Sequence, residues 1–213
     1  PGPLLEPTFQ FPTRTDMDGR LIVGSAIFGI GWGLGGLCPG PALAALTLEV
    51  RAPLGWVLDY ATQLTAVLAE LHRCGVVHRS LRPQVVLVEG AARRLRLTDF
   101  SAASHGTAEG ATPPPHLARS ALAYAAPEVS GRIGHSCDYR SDFYALGALL
   151  YEMLCGHLPF AETEALALMH AHAAKVAVAP AELDPALPPP LSQIVMKLLA
   201  KAPEERYQSA DAL

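Results

Sequence analysis

The sequence predicts a mainly α-helical domain with one small β-hairpin over residues 53–213, preceded by a glycine-rich hydrophobic helix over residues 21–37. Three observations carry this reading. Apolar residues recur at helical spacing in four separate stretches after Pro53. One stretch, QVVLVEGAARRLRLTDF at 84–100, instead alternates in two short runs around Gly90, the pattern of a hairpin. Residues 21–48, LIVGSAIFGIGWGLGGLCPGPALAALTL, carry no charge at all.

In chain order, the uncharged stretch comes first. A continuous helix there ends at Leu37, because Pro39 lacks an N–H and disfavours helical geometry before it. Residues 21–37 would span roughly 25 Å as a helix, the short end of a membrane crossing. Gly29, Gly31, Gly33 and Gly35 form overlapping G-x-x-x-G pairs, which let helices approach closely in lipid. The six glycines of this stretch would make a poor soluble helix, at about 1 kcal/mol each against Ala. The expectation is therefore a membrane-associated segment. A secretory signal fits less well, since about twenty residues precede the apolar run.

From Pro53 the grammar changes. Residues 56–72 place Leu58, Ala61, Leu64, Val67, Leu68 and Leu71 on one helical face, and Gly75 follows where a stop is wanted. The hairpin comes next. Residues 101–120 are polar, small and proline-rich, and read as a loop. Helical spacing returns at 141–155, near 162–173 and at 191–201, with PAELDPALPPP at 180–190 read as a loop. The expected domains are thus 1–48, a membrane-type segment, and 53–213, a helical lobe.

Composition bounds the function. The chain has 213 residues, half of them hydrophobic and 17% charged, with net charge −4. That is enough to bury a core, and it leaves no basic surplus for nucleic acid. Cys38, Cys74, Cys137 and Cys155 lie far apart, with neither C-x-x-C nor paired Cys/His spacing, so reduced thiols are expected rather than a disulfide frame or zinc site. His72, His105, His116, His135, His157, His170 and His172 show no metal-ligand pattern and read as surface or satisfied core residues. The chain opens at Pro1 and stops at SADAL, which reads as a piece of a longer protein.

Four motifs follow one another in the second segment: His78-Arg79-Ser80-Leu81-Arg82-Pro83, Asp99-Phe100-Ser101, Ala126-Pro127-Glu128, and Ser141-Asp142-Phe143-Tyr144-Ala145-Leu146-Gly147. Their order and spacing resemble the C-terminal lobe of a bacterial Ser/Thr protein kinase. The stretch LAYAAPEVSGRIGHSCDYRSDFYALGALLYEMLCGHLPF looks like the kinase domain of large proteins that join a Ser/Thr kinase to an ATPase and a sensor histidine kinase. The resemblance implies ATP and Mg2+ as cofactors, a cytoplasmic kinase-like part, and phosphoryl transfer in which Ser80, Arg82 and Val85 occupy catalytic-loop positions and Asp99 holds metal. It also implies supporting roles. His78 would pack against the turn at Asp99 and Phe100. Arg79 would take a phosphate from the activation segment, with Thr107 and Thr112 as candidate acceptors. Glu128 and Arg206 would form a buried bidentate pair. Asp142 would accept backbone N–H groups from the catalytic loop or cap its own helix.

This sequence departs from the pattern where chemistry is done. Ser80 stands where the family has its acid, and Val85 where it has a metal-binding amide. Ala121 stands where the family usually has a threonine bonded to that acid, and Ser101 replaces the glycine after Phe100. No G-x-G-x-x-G-x-V followed by V-A-x-K precedes residue 56, and no lysine occurs in residues 1–174, so the N-terminal lobe's phosphate-binding parts are missing.

The N-terminal stretch RTDMDGRLIVGSAIFGIGWGLGGLCPGPAL resembles the C-terminal part of YeeE/YedE-type membrane proteins, associated with sulfur-compound transport. The resemblance would put Cys38 on a substrate path; an inert buried thiol is the alternative.

Four readings follow: an impaired kinase-like module that binds a protein partner through its helical lobe, with no nucleic acid and with membrane association through 21–37; an active kinase completed by a lobe elsewhere; a transporter fragment; and a fusion of two genes without function. ATP and Mg2+ are expected to bind weakly or not at all.

Overall fold

The computed structural model describes residues 51–89, 93–105, 119–130 and 137–213. The expected helix at 21–37, Cys38, Gly90, Thr107, Thr112, His116 and His135 lie outside the described residues. The rest is mostly helical, with small antiparallel strand pairs.

Helix α1 (Leu54–Arg73) buries Val57, Tyr60, Leu64 and Leu68. The helix is where the periodicity placed it, but its inward face is rotated. Leu58 is 47% exposed, whereas Val57 and Tyr60 are almost fully buried. The stripe at 57, 60, 64 and 68 is the one that enters the core, where this helix packs on the long helix at Arg140–Cys155. Gly75 closes α1 at φ +72°, a left-handed geometry glycine adopts without penalty.

Strand β1 (Val76–Val77) leads into a short 3-10 turn at Pro83–Val85 and then β2 (Val86–Glu89). Strand β3 (Arg94–Leu97) pairs with β2 in antiparallel register, Val86 with Leu97 and Glu89 with Arg94. Gln63 of α1 fastens this hairpin: its Oε1 accepts the Leu95 N–H at 2.9 Å and its Nε2 donates to the Arg93 carbonyl at 3.1 Å. The Arg93 guanidinium lies 3.8 Å over the Trp56 ring.

A second strand pair corrects the reading of 101–120 as a loop. β4 (Ser104–His105) pairs antiparallel with β1, Val76 opposite His105 and Val77 opposite Ser104. This pairing draws the segment after Val77 alongside the segment before Ser104.

After the short helix α2 (Arg119–Leu122) and a 3-10 turn at Pro127–Ser130 comes α3 (Arg140–Cys155). Every residue of α3 from Ser141 to Cys155 is buried, so it is the central helix of the lobe. It ends at Gly156, φ +78°, whose N–H bonds the Glu152 carbonyl at 2.8 Å. Around it lie α1, α4 (Ala165–Ala174), α5 (Pro180–Leu183) and α6 (Pro189–Leu198). Helix α5 is a second correction, one turn inside the proline-rich stretch read as a loop. Pro180 sits at its first position, where a missing N–H costs nothing. Gly147 of α3 lets α6 come close, for a Cβ there would stand 2.7 Å from Leu198 Cβ.

Among the described residues, no helix is long and apolar enough to cross a membrane.

Candidate active site

The loop 78–85 and the turn 98–102 face each other because β1 and β4 pair behind them and β2 and β3 pair ahead. His78 is fully buried between the two segments. Its Nε2 donates to the Thr98 carbonyl at 3.1 Å, and its ring meets Phe100 edge-on at 4.9 Å. A carbonyl cannot donate, so the proton sits on Nε2 and Nδ1 is left as an acceptor.

Asp142 anchors this loop from the first turn of α3. Its fully buried carboxylate accepts the His78 N–H at 2.9 Å and the Arg79 N–H at 2.7 Å, and the His72 ring donates to it at 2.9 Å. Arg79 needs such an anchor because its φ is +64°, a costly geometry for a side-chain-bearing residue. The Arg79 Nη2 donates to the Cys137 carbonyl at 3.2 Å, and its buried Nε has no hydrogen-bond partner among the described residues.

The centre of the site is a chain of four side chains. Arg82 Nη1 donates to both the carbonyl and the hydroxyl of Ser80, and Arg82 Nη2 donates to Asp99 Oδ2 at 2.8 Å. The Ser101 hydroxyl donates to Asp99 Oδ1 at 2.6 Å. Asp99 itself is left-handed at φ +58° and part-exposed. The Ser101 hydroxyl first and the Arg82 guanidinium second hold its carboxyl below the usual carboxylate range. Ser80 is buried, and Val85 is 1% exposed with its side chain in the apolar core. Val85 contributes only its carbonyl, which accepts from the N–H and the hydroxyl of Thr98.

This donor set does not fit a divalent cation. Mg2+ asks for an octahedron of oxygens, usually from one or two carboxylates with waters and phosphates. Both Asp99 oxygens already accept hydrogen bonds, one from a cation, and the Val85 side chain has no oxygen. Among the described residues no group of three His, Cys, Asp or Glu side chains could hold a metal.

Away from this centre, Arg206 is fully buried and uses all its donors. Nη1 and Nη2 meet Glu128 Oε1 and Oε2 at 2.6 and 2.9 Å. The remaining donors reach the carbonyls of Ala200, Arg140 and Lys201, while the guanidinium lies 4.9 Å over the Tyr144 ring. The structure thus brings His78, Arg79, Ser80, Arg82, Asp99 and Asp142 together and sets Glu128 with Arg206 elsewhere. Two relationships escaped the sequence reading. His72, expected as a surface or satisfied core residue, reaches Asp142, and Arg82, expected at a catalytic-loop position, reaches Asp99. A histidine six positions before His78, at the end of α1, was the one available signal.

With this geometry in hand, the lobe has the architecture of a phosphotransferase domain. Residues 48–213 match the family described as protein kinase domain, and the chain belongs to that family. It is 34% identical over 176 residues to the serine/threonine-protein kinase Pkn1 of Myxococcus xanthus, covering 79% of this chain and 25% of that protein. It is 35% identical over 172 residues to the DNA damage-responsive serine/threonine-protein kinase RqkA of Deinococcus radiodurans, covering 78% of this chain and 24% of that protein. Over 102 residues, 46% of this chain and 3% of the relative, it is 43% identical to the hybrid signal transduction histidine kinase G of Dictyostelium discoideum. The chain spans about a quarter of the length of the two bacterial kinases. Residues 2–79 match a family of unknown function, DUF6691, which sets the N-terminal segment apart and adds no activity to its sulfur-transport resemblance.

Proposed function

We propose that this chain is a serine/threonine-type protein kinase domain impaired in phosphoryl transfer and serving as a protein-binding module. One observation carries the reading: the side chain that Arg82 draws into the centre of the site from position 80 is a hydroxyl, not a carboxylate. A kinase needs an acceptor that orients the substrate hydroxyl and takes its proton. A serine carries no charge for that task, and losing a general base costs roughly 10² to 10⁴ in rate. Val85 deepens the loss, because its side chain lies in the core rather than at the site.

ATP and Mg2+ are the family's cofactors, and here they bind weakly or not at all. The helical lobe offers a protein partner an apolar groove of about 360 Å³, lined by Leu58, Ala61, Leu150, Leu191 and Ile194. Exposed Leu58 supports that use. The kinase-like part is placed in the cytoplasm, with residues 21–37 as its attachment to a membrane.

The test is radiolabel transfer from ATP to a generic protein substrate, beside a thermal shift with Mg·ATP and with EDTA. No Asp99-dependent transfer and no EDTA-sensitive shift are expected, with Asp99→Ala as control. Transfer by the unmodified chain would overturn the proposal. Ser80→Asp with Val85→Asn is not expected to restore transfer, and the second change buries an amide at a cost of about 1–3 kcal/mol.

A second reading, an active enzyme completed by a separate upper lobe, draws support from Phe100, an aromatic ring 45% exposed beside the site. Adding a kinase N-terminal lobe in trans separates the two. Under our proposal, transfer stays absent until Ser80 and Val85 are also changed, to Asp and Asn.

A further inference from the structure

The four-residue chain at the centre of the site has a consequence beyond lost chemistry. We propose that Arg82 is a built-in counter-ion that closes the Asp99 carboxylate to divalent cations. The inference rests on the reading above, that the site is impaired, and deepens it by naming what occupies the metal's place.

Asp99 has two carboxylate oxygens. Oδ2 takes the Arg82 Nη2 at 2.8 Å, and Oδ1 takes the Ser101 hydroxyl at 2.6 Å. A metal at either oxygen would have to displace one of these donors and stand within a few ångströms of a guanidinium that never loses its charge. Arg82 is not free to swing away. Its other terminal nitrogen is tied to the carbonyl and hydroxyl of Ser80, and its side chain is only 15% exposed.

Ser80 explains why Arg82 turns toward Asp99. The guanidinium reaches position 80 and position 99 at once. A carboxylate at position 80 would stand where the Ser80 hydroxyl now lies and compete for the same cation. With a neutral hydroxyl there, Asp99 is the one anion hydrogen-bonded to Arg82 among the described residues. Loss of charge at one position is thus transmitted to the other through Arg82, a positioning residue that acts on the carboxylate rather than on any substrate.

The test uses Mn2+ as probe, with free ion followed by electron paramagnetic resonance during titration into the full chain. Wild type and Asp99→Asn are expected to give the same weak, unsaturated uptake. Arg82→Gln is expected to take up Mn2+ about tenfold more tightly or better, because a neighbouring opposite charge lowers a carboxylate's proton affinity by roughly one to three powers of ten and repels a divalent cation through the same field. The gain should vanish in Arg82→Gln with Asp99→Asn. Arg82→Met, which keeps the aliphatic stem, is the second variant if the glutamine change unfolds the lobe. An Asp99-dependent Mn2+ site in the wild type overturns the proposal, and so does an Arg82 variant that melts like wild type and gains no site. Failure here is distinguishable from failure of the functional reading. A wild type that binds Mn2+ at Asp99 but transfers no phosphate sinks only the counter-ion; one that transfers phosphate sinks the functional reading.

Discussion

Asp142 of α3 holds the backbone N–H groups of both His78 and Arg79, sixty-four and sixty-three residues earlier in the chain, on its two carboxylate oxygens. This contact ties the loop of the candidate site to the central helix. Asp142→Ala would leave buried donors without an acceptor, at about 1–3 kcal/mol for each, so a loss of at least about 3 kcal/mol of unfolding free energy is expected. Asp142→Asn keeps one acceptor oxygen and should cost less. Urea unfolding measures the difference, and hydrogen exchange should show the amides of residues 78 and 79 losing protection.

The buried pair of Glu128 and Arg206 behaves differently when one partner or both are removed. Glu128→Gln or Arg206→Met alone is expected to cost about 3–5 kcal/mol, because each leaves a buried charge uncompensated. Changing both to methionine should cost much less than the sum of the two. A double-mutant cycle in urea reads this directly. Strict additivity would show that the pair does not act as a unit.

Gly147→Ala should destabilise the lobe although alanine favours helices. The added Cβ would stand 2.7 Å from Leu198 Cβ and 3.3 Å from its carbonyl carbon, so α3 and α6 must separate. Overpacking of this kind costs about 1–3 kcal/mol, more than the roughly 1 kcal/mol of helix propensity gained. A lowered melting temperature is the expected result.

His172 gives the lobe a dependence on acid. Its ring is buried, with Nδ1 against the Tyr144 hydroxyl at 2.9 Å. Burial, with the Lys201 ammonium adding to it, pulls the imidazole down to about 4. The unfolded chain takes up this proton near pH 6.5, so between about 6.5 and 4 the unfolded state binds more protons. The contribution is fully present above about pH 6.5 and is lost as pH falls to about 4, a change of about 3 kcal/mol. His172→Asn should flatten that slope in urea midpoints measured across the window. An unchanged slope would assign the acid sensitivity to other groups.

Much of this fold was legible in the sequence, for reasons that differ by element. Helix α1 was found because its apolar spacing is regular and Gly75 stops it. Its face was misread because two stripes, one through Leu58 and one through Val57 and Tyr60, satisfy the same periodicity, and only the helix packed against it chooses between them. The hairpin was visible as alternation, whereas β1 and β4 are two residues each and have no pattern to show. Helix α5 was hidden by prolines that usually mark loops. At the site, Ser80 and Val85 announced a missing acid and amide. The bond from Arg82 to Asp99 spans seventeen residues and depends on how a loop turns, which no local spacing encodes. His72 reads as a surface or satisfied core residue, and its bond to Asp142, seventy residues away, has no local pattern to show it.

The enclosure of α3 bears on how such a protein changes over generations. Residues 141–155 find their packing among helices and turns between Ala52 and Leu213, and none of the large buried side chains around them depends on a charged group at position 80 or an amide at position 85. Selection for a soluble, protease-resistant chain therefore tests the scaffold and is blind to the chemistry. At position 85 an aliphatic side chain suits the core better than an amide would. The letters at positions 80 and 85 are therefore free to change while the lobe goes on folding.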